Sequence, residues 1–93
     1  MGRFRIVLAD DHGLVRAGIR HLLESQPDFD VVAEAEDGRQ AVLLSESEKA
    51  DIVIMDIAMP HLNGIEAAGQ IRKQRPETAV IIDGTIDPAG RTE

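Results

Sequence analysis

The tightest constraint on this chain is a pair of short aliphatic runs that both finish in acid. Phe4-Arg5-Ile6-Val7-Leu8-Ala9 leads into Asp10-Asp11, and Asp51-Ile52-Val53-Ile54-Met55 leads into Asp56. Runs this short, without strict polar alternation, suit strands buried on both faces, as in a parallel sheet. Two such strands would gather three carboxylates at one edge of that sheet. Like charges so close repel unless a cation joins them or one acid stays protonated. The pattern points to a divalent-ion site beside a carboxylate able to act as a nucleophile.

The segments between the runs carry the other period. Leu14, Val15, Gly18, Ile19, Leu22 and Leu23 recur at helical spacing, with Asp11 as the expected N-cap and Pro27 as the stop. Asp37-Gly38 opens a second helix, with Ala41 and Leu44 facing inward beside Val42 or Leu43. Asn63-Gly64 caps a third, in which Ile65, Ala68 and Ile71 are spaced to face the sheet, and Pro76-Glu77 ends it. Strands are expected over residues 3–9, 29–35, 51–56 and 78–82. Strands alternating with helices imply parallel pairing through right-handed crossovers. Residues 83–93 hold two Gly and one Pro without either period, and read as a flexible tail.

Composition narrows the function. Ninety-three residues make one small domain. A formal charge of -7 argues against nonspecific nucleic-acid binding, which needs cations to neutralise phosphates. With no Cys there is no thiolate metal site. No apolar run approaches the roughly 20 residues that span a bilayer, and no leader is evident, so the cytoplasm is the expected compartment.

Four segments, taken in order, make the chain resemble the receiver domain of two-component response regulators over about residues 4–82. They are Val7-Leu8-Ala9-Asp10-Asp11-His12, Glu36-Asp37-Gly38, Asp51-Ile52-Val53-Ile54-Met55-Asp56 and Met59-Pro60-His61-Leu62-Asn63-Gly64-Ile65-Glu66. With Arg16-Ala17-Gly18-Ile19, the wording is similar to receivers that precede a helix-turn-helix DNA-binding domain. The resemblance implies a flavodoxin-like doubly wound α/β sheet, here four strands in the order 2-1-3-4 with three helices. It implies that Asp56 is the phosphoacceptor for a sensor histidine kinase. Asp10, Asp11, Asp56 and the backbone carbonyl of Ala58 would hold Mg²⁺. Met59-Pro60 would shape the adjoining loop. Such a module accepts a phosphoryl group without being a turnover enzyme.

The chain also departs from the family pattern. The switch hydroxyl that ends the fourth strand falls on Gly84, with Thr85 one residue late, and the lysine that ends the fifth strand has no counterpart. The resemblance therefore reads as a receiver truncated after its fourth strand, impaired in switching, whose exposed strand edge or uncovered sheet face pairs with a second copy. The alternative is a phosphorylation-incompetent scaffold or kinase decoy. A phosphohydrolase with an aspartate nucleophile fits less well, because it wants an acid where this chain has Ala58. The histidines His12, His21 and His61 read as solvated groups, and Glu36-Asp37-Gly38 as turn chemistry.

Overall fold

The computed structural model describes residues 3–56, 59 and 62–83. The expectations placed on Ala58, Pro60, His61, Gly84, Thr85 and the rest of the tail lie outside the described residues. Seven elements alternate along the chain: β1 (Phe4–Ala9), α1 (Gly13–Glu24), β2 (Phe29–Ala35), α2 (Gly38–Ser47), β3 (Ile52–Asp56), α3 (Gly64–Gln74) and β4 (Ala79–Asp83). All strand pairings are parallel, in the order β2-β1-β3-β4. The fourth strand runs one residue past its predicted end, so that Asp83 pairs with Asp56 at the last register position.

The strand order explains where the helices go. From β1 the chain moves out to β2, then returns past β1 to β3 and continues to β4. Crossovers of constant hand place helices on opposite faces once the direction reverses. The packing agrees. Val7, Ala9, Val53 and Met55 face a tight core completed by Ala41 and Val42 of α2 and by Ala67 and Ile71 of α3. Ile6, Leu8 and Val31 face the other way, against half-buried Ile19 and Leu23 of α1. Fully burying an aliphatic side chain such as that of Ile71 is worth about 2 kcal/mol, so the α2/α3 side supplies most of the apolar stabilisation. No residue of α1 is buried.

Caps and turns follow local chemistry. The Asp37 carboxylate accepts from the Gln40 backbone N–H at the start of α2, and Asn63 accepts from that of Glu66 at the start of α3. Helix α1 departs from expectation: its N-cap is His12 rather than Asp11, and no side chain caps it. Helix α3 is rotated about its axis relative to the reading, because Ala67, Ala68 and Ile71 are buried while Ile65 is 62% exposed. In α2, Val42 rather than Leu43 joins Ala41 inside. Gly38 lies so near the loop before α3 that a Cβ there would sit 1.9 Å from the Leu62 carbonyl oxygen. Asp51, at the opposite end of β3 from Asp56, ties strand starts together: its carboxylate accepts from the Arg5 N–H at 2.8 Å.

One irregularity sets the phase of β2. The register with β1 shifts between Ile6 and Val7, so that Val32 is an extra residue in the ladder. A bulge of this kind inverts the side-chain alternation beyond it. Val32 and Ala33 therefore both pack on the α2/α3 side, as does Ala35. Glu34 is turned to the α1 side, where Arg16 and Arg20 meet its carboxylate. The hydrogen bond from Arg20 is the main reason the Glu34 carboxyl sits below its ordinary range; Arg16 adds to this and burial opposes it. A carboxyl depressed by folding contributes stability above its unfolded pKa, and that contribution is lost as pH falls through the folded value. Denaturation of the wild type and Glu34→Gln should accordingly differ at pH 7, with the gap closing as the pH drops below about 4.5.

Candidate functional site

In an open parallel sheet the crevice forms where neighbouring connections leave in opposite directions. Here that point lies between β1 and β3, since β1 leads to the β2 side and β3 to the β4 side. Asp10 and Asp11 follow β1, and Asp56 ends β3. The register brings the two strand ends level, with Ala9 opposite Met55. The acids predicted to converge do converge. One ligand atom from each of Asp10, Asp11, His12 and Asp56 falls within a group no more than 4.8 Å across.

The members differ in setting. Asp10 and Asp56 are buried, at 7% and 5% exposure, whereas Asp11 and His12 face solvent. The Asp10 carboxylate accepts from the His12 backbone N–H at 2.8 Å, which turns the chain sharply into α1. The Asp10 N–H donates to the carbonyl of Ala35 on β2 at 3.0 Å. Met59, the next described residue after Asp56, is buried in the α2/α3 core.

His12 is the member that the residue pattern alone did not single out. Its Nδ1 lies 3.0 Å from Asp10 Oδ1, 3.1 Å from Asp11 Oδ1 and 3.7 Å from Asp56 Oδ2. The ring is solvent-exposed as expected, yet it is turned onto the acids. The hydrogen bond with Asp10 is the largest influence raising its pKa, followed by the charge of Asp11; Asp10 and Asp56 add smaller charge effects. The signal available in the sequence was only adjacency, Asp10-Asp11-His12. The other residues that sequence reasoning passed over are Arg16 and Glu34. Arg16 donates from Nη1 to the Asp10 carbonyl oxygen at 2.5 Å and from Nε to Glu34 Oε1 at 2.6 Å.

The donor set suits a hard divalent cation. Carboxylate oxygens are the ligands that Mg²⁺ and Ca²⁺ prefer, and Mg²⁺ commonly takes only one or two of them. Thiolates, which would favour zinc, are absent from the chain. Two buried acids next to an exposed one give a site with a sheltered floor and an open mouth.

Comparison with known proteins agrees with this geometry. The family model for the response regulator receiver domain matches residues 6–86. The transcriptional regulatory protein DegU of Brevibacillus brevis is 41% identical over 80 residues, covering 86% of this chain and 34% of its own length. LiaR of Bacillus subtilis, also a transcriptional regulatory protein, is 40% identical over 78 residues, covering 84% of this chain and 37% of its own. The chain thus spans little more than a third of these curated relatives. Among solved structures, the NarL signal receiver domain from Mycobacterium tuberculosis superposes with a TM-score of 0.86 at 31% identity, covering 96% of this chain and 73% of that one. The response regulator domain of Thermotoga maritima CheB gives 0.82 at 41% identity, covering 86% and 59%.

The raised pKa of His12 is directly measurable. In protein without added divalent ion, an NMR titration of the His12 ring should give a midpoint above 6.5. Replacing Asp10 by Asn should lower that midpoint more than replacing Asp56 does, and equal effects would contradict the order of influences described here.

Proposed function

Since the chain belongs to the response regulator receiver domain family, we propose that it is the phosphoryl-accepting module of a two-component system, with Asp56 as acceptor. The observation that carries this reading is the convergence of Asp10, Asp11 and Asp56 at the crevice between β1 and β3. Receiver domains take Mg²⁺ at such an acidic pocket. In this chain Asp10 and Asp11 would hold the ion, one directly and the other through water, with Asp56 and the backbone carbonyl of Ala58 completing the protein ligands. When bound, Mg²⁺ offsets the negative charge on the incoming phosphoryl oxygens.

The remaining steps belong to the protein's own groups. An Asp56 carboxylate oxygen attacks the phosphorus of a phosphohistidine on a sensor kinase. A new O–P bond forms in line with the breaking P–N bond, and the departing imidazole takes up a proton. Sheltering Asp56 while leaving Asp11 exposed fits this division, since the nucleophile must be held and the ion must enter.

The test is intact mass after incubation with Mg²⁺ and a small acyl phosphate. A phosphoryl adduct is expected in the wild type, and its loss on omission of Mg²⁺ or in Asp56→Asn. An adduct that persists in Asp56→Asn would overturn the assignment.

The curated relatives are mostly transcriptional regulatory proteins, and some are protein-glutamate methylesterases. We place this chain with the transcriptional group, as the receiver part of a regulator.

A further inference from the structure

The peptide group between Asp10 and Asp11 is gripped by a side chain from outside the cluster. Arg16 lies one turn into α1, with its side chain only 17% exposed. Its guanidinium makes two contacts at once, with the Asp10 carbonyl oxygen and with Glu34 on β2. Arg20 donates to the other oxygen of Glu34 and, at 3.0 Å, to Glu24. Glu34 faces α1 only because the bulge at Val32 has inverted the alternation of β2. The N–H of Asp10 is meanwhile held by Ala35, the residue after Glu34. Both ends of the Asp10 main chain are therefore fixed by the end of β2, one directly and one through Arg16.

We propose that Arg16, oriented by Glu34, is a positioning residue that sets the affinity of the acid cluster for its divalent ion. Holding the Asp10 carbonyl fixes the plane of the peptide that joins the two acids, and with it the directions in which both carboxylates leave the backbone. The inference rests on the reading that this cluster takes Mg²⁺. Its mark is its sign. By charge alone, removing a cation near a cation site should tighten binding, and removing an anion should weaken it. By positioning, losing Arg16 or Glu34 weakens binding in either case. Lysine cannot stand in for Arg16, because one ammonium lacks the planar fork that serves two acceptors in different directions.

The experiment is Mg²⁺ titration by calorimetry on the full chain, comparing wild type with Arg16→Gln, Arg16→Lys, Glu34→Gln and the Arg16→Gln/Glu34→Gln double variant. Each single variant should raise the Kd about tenfold or more, the scale seen when partners that orient metal ligands are removed. The double variant should be little worse than the singles, since both break one arrangement. Unchanged or tighter binding in Arg16→Gln, or full affinity in Arg16→Lys, would overturn the proposal. Should Arg16→Gln fail to fold, Arg16→Lys carries the comparison. Amide spectra of ion-free protein give a second readout: Arg16→Lys should move the signals of Asp10, Asp11 and His12 with little change in the α2/α3 core. If the wild type takes no Mg²⁺, the ion-site reading fails and with it the affinity claim. If it binds but these amides do not move, only the positioning fails.

Discussion

Everything in this domain hangs from β1, whose last four residues are buried on both faces and paired on both edges. Ile6 and Leu8 face one layer and Val7 and Ala9 the other, all at 1% exposure or less. Such a strand has no freedom of register, because a slip of one residue would exchange its two faces. The position of Asp10 follows, as the first residue beyond the last paired one. Because β3 pairs directly with β1, the same fixed register delivers Asp56 to the same level. The acid cluster is thus a by-product of hydrophobic packing, assembled by residues that take no part in its chemistry.

The two faces of the sheet are held by different forces. On the α2/α3 side small and aliphatic residues from both helices and the sheet close into a buried core, with Leu43 and Ile65 left outside it. On the α1 side, Leu14, Val15 and Leu22 all point largely outward. Helix α1 is held instead by half-buried Ile19 and Leu23 and by the ion pairs of Arg16 and Arg20 with Glu34. Its attachment is therefore more sensitive to ionic strength than that of α2 or α3. This is the helix that starts immediately after the acid pair.

Much of this was legible in the sequence, and the exceptions have physical reasons. The strands were readable because aliphatic runs bounded by acids and turn residues have few alternatives, and β2 was placed residue for residue. Helix phase was less legible. In α3 the spacing correctly turned Ala68 and Ile71 inward, but it favoured the larger Ile65 where the small Ala67 is the residue that joins the core with α2. Asp11 looked like the cap of α1 because its residue type suits that position; the turn made by Asp10 over the His12 N–H moves the helix start by one. The grip of Arg16 on Asp10 was hidden because it needs Glu34 to face α1. That orientation depends on a bulge that no residue in the alternating pattern announces.

The close approach of Gly38 to Leu62 has a mechanical consequence. Side chains between two elements act as a soft layer, since they can change rotamer and absorb small displacements. Here none intervenes, and the start of α2 meets the carbonyl of the loop before α3 backbone to backbone. A close-packed contact of this kind has no slack. A shift of a fraction of an ångström at Leu62 must be passed to α2 undamped or break the contact, so the start of α3 and the start of α2 are geared to one another.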